Sequence, residues 1–170
     1  MRVIELKKYN DRWPGEFQLE VGLIKAVLSE HLICAHHIGS TAIKGCCAKP
    51  MIDIIVEVMS LDKVDQNNHP LEKLGYEVKG EFGVVGRRFF MKGDDKRTHH
   101  LHVFESGNLD IERHRLFVEY MNAHADQMAK YSKLKMELSQ RYRQHPDEYS
   151  AGKAAFIKSI DLAAVEWASG

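Results

Sequence analysis

The stretch from His37 to Val56 constrains this chain more than any other. It reads as a small-residue turn, a short loop and then a buried strand that begins with one carboxylate, Asp53. Gly39 has no side chain, so the backbone there can approach a ligand closely. Ser40 and Thr41 can cap a short helix or turn with their hydroxyls. Free N–H groups at such a start favour an anion. A phosphate cradle at Gly39 and Ser40, followed by a strand carboxylate, is the arrangement metal-dependent nucleotidyl transfer requires. The cradle holds phosphates and Asp53 holds a divalent ion.

The remaining pattern predicts a mixed sheet with helices at both ends of the chain, an α+β architecture in a single domain over residues 1–170. Residues 2–6 read as a short extended piece. Trp13-Pro14 opens a helix with Phe17, Val21, Ile24 and Leu28 in one stripe. Leu32–Ala35 and residues 51–58 read as two central strands. In the second, Ile52, Ile54, Val56 and Val58 form the apolar face, which turns Asp53 toward a partly open cleft. Residues 61–74 predict one helix closed by Gly75. Residues 76–78 predict a short strand, and glycine-rich residues 80–86 a loop or hairpin. Residues 87–92 and 98–104 predict antiparallel strands joined by a turn at 93–96. Leu101 and Val103 fall on the core face there, and His100 and His102 on the cleft side. Three helices follow, over 111–123, 126–145 and beyond Pro146.

Gly39-Ser40 and Lys49-Pro50-Met51-Ile52-Asp53-Ile54 resemble the signature of the GrpB family, also called UPF0157. The resemblance extends to Tyr9, Trp13-Pro14, Gly86-Arg87-Arg88-Phe89-Phe90 and Thr98-His99-His100-Leu101-His102-Val103. It continues through Tyr131, Leu134-Lys135, Tyr149, Lys153 and Phe156-Ile157, and so covers nearly the whole chain. That family is similar to the nucleotidyltransferase superfamily, so the resemblance implies a polymerase-β-like fold. Some relatives are fused to a dephospho-coenzyme A kinase, which associates the fold with coenzyme A metabolism.

Four groups of residues could carry chemistry. Asp53 is the expected catalytic and metal-holding carboxylate, with Ser40 as its phosphate-contacting partner. The superfamily usually pairs such a carboxylate with a second one two residues on, and here that position is Ile55. Glu57 is on the right face but about 13 Å along the strand, too far to share ions roughly 3.5–4 Å apart. A bond from Asp53 to backbone or to Lys49 is the plain alternative. His100 and His102 share one strand face, and with Asp53 they could hold a divalent metal. Such a set suits a transition metal better than magnesium, so Mg²⁺, Mn²⁺ and Zn²⁺ all stay open. Otherwise the two histidines hydrogen-bond phosphate or backbone. Lys135 and Lys153 interrupt apolar helical stripes, each four residues after a tyrosine. Such lysines either snorkel to water or reach a buried anion. Lys49, Arg87 and Arg88 are further phosphate candidates, although alternation puts only one of the two arginines on the cleft face.

Composition narrows the function classes. Formal net charge is zero, so no global field draws the chain to nucleic acid or an anionic membrane. It also lacks the basic run and aromatic platform of a nucleic-acid binder, and no apolar run spans a bilayer. The three cysteines, Cys34, Cys46 and Cys47, form neither a disulfide framework nor a CxxC motif. They are read as small buried filler in a reducing cytoplasm. The Gly39-Ser40 cradle and the family resemblance imply a nucleotide or other phosphorylated small molecule as the partner. An enzyme transferring a nucleotidyl group to an unknown acceptor is one reading. A non-catalytic nucleotide or coenzyme A-type binding module, or an accessory domain, is the other. A phosphohydrolase built on Asp53, His100 and His102 stays open beside them.

Overall fold

The computed structural model describes residues 3–170. They form two compact units, each assembled from discontinuous segments. A sheet unit comprises Asp11–Ile38 and Met51–Glu112, and a helical unit comprises residues 3–10, Gly39–Pro50 and Arg113–Gly170.

In the sheet unit, α1 (Trp13–Leu28) carries Pro14 in its first turn, where a missing N–H costs no helical bond. Its buried residues Trp13, Phe17, Glu20, Ile24 and Leu28 recur at helical spacing, and the helix packs on β1 (Leu32–Ile38) and β2 (Ile52–Val58). The strands β3 (Tyr76–Val78), β4 (Arg87–Lys92) and β5 (His99–Glu105) complete a sheet of order β1-β2-β5-β4-β3. β2 and β5 pair parallel, and every other pair is antiparallel. One face of the two central strands, with Ile54, Val56, Val58, Leu101 and Val103, is fully excluded from water. The buried carboxylate of Glu20 is satisfied there: it accepts from the Tyr76 hydroxyl at 2.8 Å and from Lys92 Nζ at 2.9 Å.

Two local expectations are corrected. β1 is an edge strand rather than a central one, is mostly half-buried, and runs on to Ile38. The helix expected over 61–74 is broken into α2 (Leu61–Asp65) and α3 (Asn68–Lys73). In an unbroken helix Pro70 would lose the bond to the Gln66 carbonyl and crowd it; the break places Pro70 in a first turn, where it is tolerated. The extended piece expected over 2–6 carries no regular element at residues 3–6 and is followed by a β-bridge from Lys7 to Ala48; Arg2 lies outside the described residues.

The turn between β4 and β5 depends on Gly93. Its φ is 105°, and an added Cβ would sit 2.4 Å from the Lys96 carbonyl oxygen. Gly93→Ala is therefore expected to lower stability by about 1–3 kcal/mol. Urea unfolding midpoints matching wild type would refute this.

The helical unit is built on α4 (Leu109–Ala123, its first four residues counted with the sheet unit), α5 (Ala125–Arg141) and α6 (Pro146–Ser169). Pro146 is the first residue of α6, where its fixed φ suits helix entry. α5 and α6 pack together. Gly152 sets their approach, since a Cβ there would lie 2.6 Å from Leu138 Cδ2. Ile43 and Cys46 from the loop pack with Phe117, Met121, Tyr131 and Ile160, and Ile4 packs with Leu138 and Tyr149. The Gly39–Pro50 loop is thus pinned by its own apolar residues. No helix of the described residues is long and apolar enough to cross a membrane.

Candidate functional site

The residues singled out in the sequence fall into two constellations, one in each unit, and each has its own chemistry. In the sheet unit, Asp53 stands in register between Ile38 of β1 and His100 of β5. Period-2 alternation puts Asp53, His100, His102, Phe89 and Arg87 on one sheet face. Asp53 Oδ1 lies 3.6 Å from His100 Nδ1 and 3.6 Å from His102 Nε2. The Phe89 ring touches both imidazoles, with centroids 5.2 Å and 5.0 Å away. Arg87 stacks its guanidinium on Phe89 at 4.5 Å and donates to His102 Nδ1 at 3.2 Å.

That last contact decides the state of His102. Arginine only donates, so Nδ1 must accept, and the proton of the neutral ring sits on Nε2, facing Asp53. Burial pushes the Asp53 carboxyl up, but the His100 and His102 imidazoles outweigh it and hold the group well below the ordinary carboxylate range. On the strand beyond, His37 stacks on Phe17 at 4.7 Å. Burial pushes its pKa down to about 4 against the opposing pull of Asp53, which keeps it neutral near pH 7. Arg88 does not join this group. It projects from the other face and makes a two-pronged ion pair with Asp65, at 2.8 Å and 3.1 Å.

This donor set does not fit a pair of divalent ions. Ile55 is fully buried where a second carboxylate would be needed. In the tautomer fixed by Arg87, His102 Nε2 is a proton donor and not a metal ligand. One atom has no partner: His100 Nε2 is buried without a hydrogen bond among the described residues.

The helical unit holds the second constellation. Gly39 takes φ 74° and opens a 3-10 turn, Ser40–Ala42, that has no side-chain cap. The Ser40 hydroxyl is used otherwise. It accepts a hydrogen bond from Lys135 Nζ at 2.7 Å. The same ammonium donates to the Cys47 carbonyl and lies 4.6 Å from the Tyr131 ring centroid. Lys135 is 2% exposed, so it does not snorkel. Its partners are a hydroxyl, a carbonyl, a ring and the neighbouring cysteines, with no carboxylate among them. Burial therefore pushes its pKa down. Lys49 and Lys153 both lie over the Tyr149 ring, at 5.3 Å and 4.5 Å. Burial raises the pKa of that phenol, which keeps it neutral.

Residues 3–162 match the family model described as GrpB protein. The chain belongs to the GrpB family. It is 42% identical to the UPF0157 protein YqkA of Bacillus subtilis, over 99% of its own length and 49% of that protein's, so it spans about half of that relative. The crystal structure of the conserved protein GrpB from Enterococcus faecalis superimposes with a TM-score of 0.94 at 36% identity, covering 98% of this chain and 100% of that one. A dephospho-CoA kinase of Mycolicibacterium paratuberculosis is 25% identical over 97% of this chain and 47% of its own length. The Cid1 poly(U) polymerase, in a structure described as MgGTP-bound, matches with a TM-score of 0.51 at 15% identity, over 79% of this chain and 43% of that one. At that identity the likeness establishes the fold alone: this GrpB chain has the polymerase-β-like nucleotidyltransferase fold.

The sequence reading missed two features of the site. It did not single out His37, which pairs with Ile54, stacks on Phe17 and feels the charge of Asp53, because a histidine in an apolar strand carries no signal of its neighbours. It took Cys34 for buried filler, whereas Cys34 is half-exposed and stands with His36 and Glu57. The Cys-x-His spacing on a strand, which puts both side chains on one face, was the available clue.

Proposed function

We propose that this chain binds a phosphate-bearing small molecule, a nucleotide or a coenzyme A-type compound, and that Lys135 and Ser40 form the anion-recognising pole. The observation that carries this is the buried Lys135 ammonium with no carboxylate partner among the described residues. Burying an uncompensated cation costs several kcal/mol (on the order of that for any lone ion), and a phosphate would supply the missing charge. Lys135 would then trade its bond to Ser40 Oγ for one to a phosphate oxygen, while the freed hydroxyl donates to a second oxygen. Lys49 and Lys153 carry two further positive charges in the same unit. The nucleotidyltransferase fold and the dephospho-CoA kinase match support the choice of these two ligand classes.

The reading is of a binding module rather than a two-metal transferase, because Ile55 replaces the second carboxylate. One observation favours a second reading, with catalysis at Asp53. Asp53 Oδ1 lies 3.6 Å from His100 Nδ1 and from His102 Nε2, longer than a hydrogen bond. A single divalent ion held by Asp53 and His100, with His102 after a change of tautomer, would use that spacing.

Thermal denaturation with nucleoside triphosphates, coenzyme A and inorganic phosphate, each with and without Mg²⁺, Mn²⁺ or Zn²⁺, tests both. A ligand at about 100 times its dissociation constant adds about 2.7 kcal/mol. The binding reading expects a metal-independent shift and no turnover of labelled nucleotide. A shift that requires metal, with turnover lost in Asp53→Ala, replaces it with the catalytic reading. No shift with any phosphate compound refutes both.

A further inference from the structure

We propose that Cys34, His36 and Glu57 form a binding site for one thiophilic divalent cation, zinc(II) by the chemistry of its donors. The three side chains offer a sulfur, an imidazole nitrogen and a carboxylate oxygen, all within 4.8 Å of one another. Their meeting follows from register. Cys34 pairs directly with Glu57 across the antiparallel β1–β2 ladder, and His36 is two residues along β1 on the same face. The ladder is irregular at this point: the register shifts between Leu32 and Cys34, so β1 carries one extra residue. Bulges of this kind sit at sheet edges and re-aim side chains, and β1 is an edge strand. The side chains of His36 and Glu57 are 19% and 17% exposed, and Cys34 is half-exposed, so an ion can reach them and a water can complete the shell.

The donor types select the metal. A thiolate excludes magnesium and calcium, which take oxygen ligands. Sulfur with imidazole and carboxylate is a zinc set, and three protein ligands leave the fourth tetrahedral position open. Around one zinc ion the donor atoms would stand roughly 3.3–3.8 Å apart. His36 Nε2 and Glu57 Oε2 are now 2.5 Å apart, held by a proton between them. Replacing that proton by the ion moves them apart by about an ångström. Ser106 Oγ lies 3.4 Å from the other carboxylate oxygen, Oε1, and its bond to that oxygen leaves Oε2 directed at the ion. The site is separate from Asp53, which pairs with Ile38 four residues further along β1. Neither Cys46 nor Cys47 takes part: both are buried, and their thiols donate to the Cys47 and Ser132 carbonyls.

The test is titration of the chelator-treated full chain with Co²⁺ and then Zn²⁺. One equivalent of Co²⁺ is expected to bind with a near-ultraviolet sulfur-to-cobalt absorption, and Zn²⁺ to displace it. Cys34→Ser should abolish the absorption. His36→Gln should keep it while weakening Zn²⁺ binding about tenfold or more. Metal-free melting curves show whether each variant is folded, and if Cys34→Ser is not, the affinity of His36→Gln decides alone. Absence of the absorption in wild type overturns the proposal. So does its survival in Cys34→Ser, which would assign the thiolate to Cys46 or Cys47, and so does wild-type Zn²⁺ affinity in His36→Gln.

Discussion

Lys135→Met is expected to weaken binding of phosphate-bearing ligands by about thirty- to a hundredfold, the loss of one charge-assisted contact of about 2–3 kcal/mol. The same substitution is expected to cost the ligand-free protein less than about 1 kcal/mol. Methionine keeps the length of the side chain and removes a charge that is 2% exposed and has no anionic partner. Against that gain, the Cys47 carbonyl loses its ammonium donor and keeps the weaker Cys46 thiol. The pH dependence separates this from a merely structural lysine. Burial lowers the folded-state pKa of Lys135, so between that value and the unfolded one the unfolded chain holds more protons. Wild-type stability therefore rises with pH across that window, and Lys135→Met lacks this rise. Lys133→Met, an exposed change two residues away, controls for general loss of charge. Equal ligand affinity in wild type and Lys135→Met, by isothermal titration, would refute the anion-pole assignment.

Asp53→Asn is expected to lower stability near pH 7 by about 1–3 kcal/mol, because the amide cannot replace a carboxylate facing two imidazoles. The folded-state pKa of Asp53 is depressed. Its contribution is therefore present above the unfolded value and lost as pH falls below the ordinary carboxylate range. In urea titrations the gap between wild type and Asp53→Asn should hold from pH 7 to about pH 5 and shrink as pH falls on toward about 3. A gap independent of pH would show that Asp53 is not held ionised by its neighbours. The variant also reports on the ligand: under the binding reading, phosphate-compound binding should be largely retained, since the substitution leaves Lys135 and Ser40 in place.

Much of this molecule is legible in its residues. Alternation in Ile52–Val58 and His99–Glu105 assigned Asp53, His100 and His102 to the face opposite Ile54, Val56, Leu101 and Val103, because successive side chains of a strand point to opposite faces, although Ile55 and Phe104 bury part of that second face too. The helical stripes through Tyr131, Lys135 and Leu138 were legible for the same reason. The residue chemistry of Gly39-Ser40 and Lys49–Ile54 was enough to identify the family. Local signals failed where a decision depended on neighbours remote in sequence. Nothing in Leu32–Ala35 says that β1 lies at an edge, since strand order is set by which partners pair. The pattern over 61–74 reads as one helix until the cost of Pro70 at its centre is counted.

The sequence by itself determined the class of fold, the family, and the residue types available for chemistry. Their states were decided only by tertiary structure. Whether Lys135 snorkels or is buried depends on what packs over it. Which nitrogen of His102 holds a proton depends on Arg87, fifteen residues away in sequence and adjacent on the sheet. Cys34 changes from filler to a candidate ligand because strand register sets Glu57 opposite it. The physical reason is common to all three. Burial and charge depend on distances through space, and a chain fixes those only when its strands and helices have found their partners.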